Sequence, residues 1–99
     1  MNKKYMEAVP IIKALADETR LEIVDMLLCG ELSACKILEK FDITQPTLSY
    51  HMKILTDSGL VLSRRAGAWT FYRLNKAAFD GVSRLLNAIC GNLKEMTPS

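Results

Sequence analysis

The sequence predicts a mainly α-helical fold with one small β-hairpin, and three observations carry that prediction. The first is the run DITQPTLSYHMKILTDSG, Asp42 to Gly59, which has the punctuation of a single helix. Thr44 suits the N-cap, Gln45 and Pro46 suit a first turn in which proline loses no hydrogen bond, and Gly59 suits the stop, so this helix should run from Gln45 to Ser58. The second is apolar spacing by threes and fours on either side of that run, before Gly30 and after Asn75. The third is the strand-favouring composition from Leu60 to Ser63 and from Trp69 to Leu74, with Arg64, Arg65, Ala66, Gly67 and Ala68 between them as a tight basic hairpin tip.

Taken in order, residues from about Lys3 to Ala16 form a first helix with two adjoining apolar stripes, Val9, Ile12 and Ala16 beside Ala8, Ile11 and Leu15. That is more apolar face than one small core requires, and Pro10 falls where a missing amide kinks a helix or delays its start. Asp17 is the expected N-cap of a second helix ending near Gly30, with Leu21, Ile23, Val24, Met26, Leu27 and Leu28 buried. Ser33 caps a short third helix, Ala34 to about Phe41, whose Ile37, Leu38 and Phe41 turn inward. Asp42 and Ile43 then lead into the Gln45 helix. In the hairpin, Trp69 and Tyr72 should pack the small sheet, although an aromatic at the hairpin's edge can also touch a sugar. Asn75 caps a last helix reaching Leu93, on which Phe79, Val82, Leu86, Ile89 and Leu93 form a seam of the kind that meets another helix. Met1, Met6, Met26, Met52 and Met96 share no stripe and read as filler, and the tail after Lys94 should fray.

Ninety-nine residues allow one domain with a real core but no large catalytic cleft, so residues 1–99 are expected to form a single unit. No apolar run approaches the roughly 18 residues of a membrane span, and no leader-like pattern opens the chain, so a cytoplasmic protein without a membrane partner is expected. Cys29, Cys35 and Cys90 are odd in number and irregular in spacing, which argues against a stapled secreted framework and predicts reduced thiols. The net charge of +2 says little until it is divided along the chain. Residues 1–42 carry eight acids and six bases, whereas residues 43–76 carry Asp57 alone against Lys53, Arg64, Arg65, Arg73 and Lys76. A positive region thus begins at the Gln45 helix.

Two short helices joined by a tight turn, followed by a basic hairpin, make the winged helix-turn-helix arrangement. At 100° per residue, Leu48, Met52 and Leu55 fall on the inner side of the Gln45 helix, and Pro46, Ser49, Tyr50, Lys53 and Asp57 fall on the outer side. Short polar groups, a phenol and a cation suit base edges and phosphates in double-stranded DNA. The expected DNA contacts are Gln45, Thr47, Ser49, Tyr50 and Lys53, with Arg64 and Arg65 on the backbone and Thr44 serving as the cap. The surplus apolar surface on the terminal helices, about 3–16 and 75–93, is most simply covered in a symmetric homodimer. A second reading, different in class, keeps the fold as a protein-interaction module using Tyr50 and the hairpin. An enzyme built on Cys35 and His51 has neither an orienting third group nor an oxyanion loop, and His51, beside Leu48 and Leu55, reads as structural.

The stretches LADETRLEIVDML (Leu15 to Leu27), GELSACKI (Gly30 to Ile37), ITQPTLSYHMKILTDSGLV (Ile43 to Val61) and RRAGAWTFYRLN (Arg64 to Asn75) together resemble the ArsR/SmtB family of bacterial winged-helix repressors. The resemblance implies a dimer that represses transcription from an operator until a metal, metalloid or thiol oxidant lowers its affinity for DNA. In the arsenic-sensing branch it further implies a Glu-Leu-Cys-x-Cys opening to the third helix. Here Glu31, Leu32, Ser33, Ala34 and Cys35 stand there, with only the second thiol, and serine is a poor ligand for a soft trivalent ion. The family's carboxylate and histidine site on the last helix has no counterpart, because Asp80 is the one such residue between Asn75 and Leu93. Cys35 is the expected sensor thiol, placed in a first turn where the helix dipole favours a thiolate. Cys29 is a second sulfur or a core residue, and Cys90 a partner thiol or a packing residue. The expected ligand is arsenite or another soft metal or metalloid held by thiolates, or none, with redox-active thiols.

Overall fold

The computed structural model describes residues 3–96, with side chains described through Gly91. Among them the chain runs α1 (Lys3–Leu15), α2 (Glu18–Leu27), β1 (Leu32–Ser33), α3 (Ala34–Leu38), α4 (Gln45–Asp57), β2 (Val61–Ala66), β3 (Trp69–Leu74) and α5 (Lys76–Met96). This is the expected winged helix-turn-helix with one strand more. β1 pairs antiparallel with β3, Leu32 opposite Tyr72 and Ser33 opposite Phe71, which gives the sheet order β1-β3-β2. Two residues have no readable period, and they become a strand only because the edge of β3 offers them unpaired backbone groups. α5 is helical to Met96, past the point where fraying was expected. The seam position Leu93, the methionine side chains at 1 and 96, and the last three residues lie outside the described part.

The helix starts follow the local chemistry. Asp17 accepts the Arg20 amide at 3.0 Å, Ser33 the Lys36 amide at 3.2 Å and Thr44 the Thr47 amide at 3.3 Å. Each cap satisfies an amide that the first turn leaves without a partner. α4 ends at Gly59, whose φ of 86° lies in the left-handed region. α3 is shorter than expected because the Lys40 and Phe41 amides reach back only three residues, to the carbonyls of Ile37 and Leu38, and tighten the chain into a turn. α1 continues through Pro10.

The Arg20 amide holds the Asp17 carboxyl below the usual carboxylate range. A depressed folded-state pKa contributes stability above the unfolded value and loses it as pH falls through the folded one. Asp17→Ala is therefore expected to cost about 1 kcal/mol near neutral pH, the ordinary worth of such a cap. The cost should shrink toward zero below the folded pKa, read as the shift in urea midpoint at the two pH values.

The core is built around Ile23, Ile37, Met52, Leu55, Leu60 and Val61, all nearly removed from solvent, with Ala8, Ile11 and Ala14 of α1 and Val82 of α5 closing it. Burying one such large side chain is worth roughly 1.5–3 kcal/mol. α4 alone supplies Leu48, Met52 and Leu55, so its inner side is held firmly while its outer side stays free. Leu21 and Leu28, expected inside, are exposed. Seven residues apart, they share one side of α2, and the Ile23–Val24–Leu27 side faces the core instead.

Only one of the two apolar stripes of α1 is used, since Val9 and Ile12 remain exposed along with Tyr5 and Met6. On α5, Val82 is buried and Phe79 and Leu85 are half-buried, whereas Leu86 and Ile89 are each 52% exposed. The molecule measures 55 × 26 × 21 Å, and from Leu86 to Gly91 the α5 side chains are exposed. Among the described residues no helix is long and apolar enough to cross a membrane.

Candidate nucleic-acid interface

α4 is fixed from beneath by its core residues and from one side by His51. Arg20 donates from Nη1 to His51 Nδ1 at 3.2 Å and from Nε to the Ala14 carbonyl at 2.6 Å, so one guanidinium ties the end of α1 and the start of α2 to α4. A guanidinium only donates, so Nδ1 is the acceptor and the ring proton sits on Nε2. Asp17 Oδ2, 3.9 Å from the same nitrogen, is therefore a neighbour rather than an ion-pair partner. The structural role expected of His51 is the one it has.

Gln45, Pro46, Thr47, Ser49, Tyr50 and Lys53 are left exposed on the outer side. Thr44 is engaged as the cap, and its hydroxyl also lies 3.0 Å from that of Thr47. Lys53 Nζ stands 3.2 Å from Asp57, with both side chains well exposed. A pair of that kind is worth at most about 0.5 kcal/mol, so the ammonium exchanges readily onto a phosphate. The Tyr50 ring meets His51 edge-on at 5.3 Å while its outer surface stays open to solvent.

The hairpin differs from expectation in one respect that matters for the site. β2 continues to Ala66, pairing Arg64 with Phe71, Arg65 with Thr70 and Ala66 with Trp69, so the two arginines lie in the strand and not in the tip. The tip is Gly67–Ala68 alone, and with φ positive only at Gly67, at 63°, it fits a two-residue type II′ turn. Consecutive arginines read as loop in isolation, but the ladder to β3 overrides that. Since side chains alternate along a strand, Arg64 and Arg65 point to opposite faces. Arg65 shares its face with Tyr72 and Val61, on the core side of the sheet, and among the described residues its side chain makes no hydrogen bond or ion pair.

Arg64 shares the other face with Phe71, its guanidinium 4.5 Å from the ring centroid. It donates to both Glu31 carboxylate oxygens, from Nε at 2.9 and 3.1 Å and from Nη2 at 2.7 Å. These bonds hold the Glu31 carboxyl below its ordinary range and push the Arg64 guanidinium above its own. Trp69, expected to pack the sheet, is 55% exposed beside the tip, whereas Tyr72 is half-buried and its phenol is pushed up by burial.

All three cysteines are exposed. Neither Cys29 nor Cys90 is packed within the single chain: Cys29 lies beyond the end of α2, and Cys90 lies in the second half of α5. Ser33 spends its hydroxyl on the α3 cap. Cys35 lines a pocket of about 130 Å³ with Leu38 of α3, Gln45, Ser49 and Met52 of α4, and Tyr72 of β3. This juxtaposition joins the expected sensor thiol to the expected DNA-reading helix, whose inner residues were expected to rest on the helix that carries Cys35. Among the described residues no group of three or more His, Cys, Asp or Glu is placed to hold a metal ion. A three-donor site of that kind is thus not assembled among the described residues of one chain.

The signature described as "Bacterial regulatory protein, arsR family" matches residues 17–63, from the cap of α2 into β2. A curated relative, the arsenical resistance operon repressor of Staphylococcus aureus, is 51% identical over 85 residues, which cover 86% of this chain and 82% of that one. Among solved structures, the crystal structure of an ArsR family transcriptional regulator is similar with a TM-score of 0.85 at 26% identity, covering 99% of this chain and 100% of the other. A solution structure from Mycobacterium bovis, described as a homodimeric winged helix-turn-helix DNA-binding domain, has a TM-score of 0.68 at 28% identity and covers 96% of this chain and 89% of its own. These similar proteins are described as transcriptional regulators, not as enzymes.

Proposed function

The chain belongs to the arsR family of bacterial regulatory proteins, and from that premise we propose that it is a homodimeric repressor. It reads operator DNA with α4, steadies itself on the backbone with its wing, and lets go when Cys35 reacts. The observation that carries this reading is the outer side of α4, where exposed polar side chains stand over a buried inner side, together with a wing arginine that makes no hydrogen bond or ion pair among the described residues. Gln45 can make a paired hydrogen bond to adenine, and Lys53 can reach a guanine edge or a phosphate. Thr47, Ser49 and Tyr50 complete the reading face, and Arg65 is the wing's phosphate contact.

Arg65→Ala is expected to weaken binding to all duplexes alike and to reduce the salt dependence by about one counterion. Gln45→Ala should relax preference at one base pair, at a cost of roughly 1–3 kcal/mol. Fluorescence anisotropy on operator variants across a salt series reads both. Parental affinity and slope in both variants would remove α4 and the wing from the interface.

The dimer is formed by the terminal helices, which carry the exposed Tyr5, Val9, Ile12, Leu86 and Ile89. A groove of about 640 Å³ between them has a wall of small residues, Ala77, Ala78, Gly81 and Ala88, that leaves room for a partner's side chains. Two-fold symmetry then sets two α4 helices at half-sites about one DNA turn apart.

The signal enters at Cys35. Names of relatives point to arsenicals, and a soft trivalent ion prefers two or three thiolates, so a metalloid acting here recruits sulfur beyond this pocket, whereas an oxidant needs only the one exposed thiol. A group added at Cys35 presses on Gln45, Ser49 and Met52 across the shared pocket and tilts α4.

A further inference from the structure

We propose that Glu31 and Arg64 form a brace across the sheet that sets the inclination of the wing for DNA binding, with Arg64 acting as a positioning residue and not as a phosphate ligand. The inference rests on the repressor reading above. Three features of the geometry lead to it.

The brace spans all three strands. Glu31 immediately precedes β1, Phe71 lies on β3 between them, and Arg64 lies on β2. Two parallel hydrogen bonds to one carboxylate, with the guanidinium stacked on an aromatic ring, fix both the distance and the plane of Arg64. Secondly, Arg64 points to the face of the sheet opposite Arg65, so the two do not present one cationic edge to the same phosphate strand. Thirdly, the pair is partly open to solvent, at 28% exposure for Glu31 and 53% for Arg64. Partly exposed pairs add little to global stability, and what remains for this one is orientation.

The lever is short and effective. The tip begins three residues past Arg64, roughly 10 Å along the strand, so a tilt of about 10° moves the Gly67–Ala68 turn by roughly 2 Å. The other end of the brace sits two residues before the Ser33 cap of the helix that carries Cys35. A displacement at the start of α3 is thereby passed to the wing as well as to α4.

The test measures operator affinity, salt dependence and thermal midpoint for Glu31→Gln, Arg64→Gln, their double variant, and the charge exchange Glu31→Arg with Arg64→Glu. Glu31→Gln removes a negative charge, and net electrostatics alone would strengthen DNA binding. The brace predicts the opposite, a loss of roughly three- to tenfold. Arg64→Gln should lose a similar factor without lowering the salt slope, and the double variant should be no worse than either single one. The charge exchange should recover most of the affinity, and the thermal midpoints should barely move. Additive losses, a gain with Glu31→Gln, or a salt slope lowered by about one in Arg64→Gln alone would overturn the brace and make Arg64 a direct phosphate contact. Failure of the parent protein to shift duplex DNA at all overturns the repressor reading, and the brace with it.

Discussion

Leu86→Asp together with Ile89→Asp is expected to yield a folded monomer that binds operator DNA at least about a hundredfold more weakly than the parent, because joining two half-site readers is worth roughly that factor in avidity. Both side chains lie in the second half of α5 and are half-exposed, so neither contributes to the core around Leu55 and Met52. Their replacement leaves the monomer's packing intact. In a dimer formed through α1 and α5, however, each aspartate places a charge within apolar surface that has no compensating partner, at a cost that readily exceeds the association energy of a small interface. Sedimentation velocity reads the assembly state, and anisotropy on full operators and single half-sites reads the binding. The variant should bind a half-site as well as the parent's individual subunit does. A variant that remains dimeric, or a parent that is monomeric at micromolar concentration, would move the interface away from these helices.

Cys35→Ser should abolish inducer response while leaving operator affinity nearly unchanged. The thiol is exposed and lines the pocket shared with α4, and serine keeps the side chain's size without its soft, oxidisable sulfur. In reduced parent protein, one agent among arsenite, antimonite, cadmium, peroxide and persulfide is expected to weaken DNA binding by roughly ten- to a hundredfold, the range of ordinary allosteric coupling. That agent should have no effect on Cys35→Ser; an oxidant should keep its effect on Cys29→Ser, whereas a metalloid should lose it in whichever of Cys29→Ser and Cys90→Ser removes the second sulfur. Release that persists in Cys35→Ser would place the sensor elsewhere, with Cys90 the next to replace. Because Ser33 is committed to the α3 cap, restoring a second thiol by Ser33→Cys tests the metalloid reading separately. A gain of arsenite response in that variant would identify the missing donor.

Much of the fold was legible before any coordinates. Asp17, Ser33 and Thr44 each cap the helix that their position announced, and Gly59 ends α4 in the left-handed conformation a stop calls for. The inner and outer sides of α4 separated as the 3.6-residue period required, Leu48, Met52 and Leu55 inward and Ser49, Tyr50 and Lys53 outward. The misreadings share a cause. Leu21 and Leu28 are as apolar as Ile23 and Leu27, and nothing local reveals which side of α2 meets the rest of the chain. Cys29 and Cys90 were open between packing and partnership because a thiol's burial depends on what lies opposite it.

The sequence by itself determined the helices, their caps, the polar outer side of α4 and the surplus apolar surface on α1 and α5. All of these arise from interactions between residues three or four apart. Only the tertiary structure decided that Arg64 and Arg65 face opposite ways, that Glu31 holds Arg64 from 33 residues away, and that Leu32–Ser33 becomes a strand. Those relations depend on strand register and on packing between distant segments, which a local period does not encode.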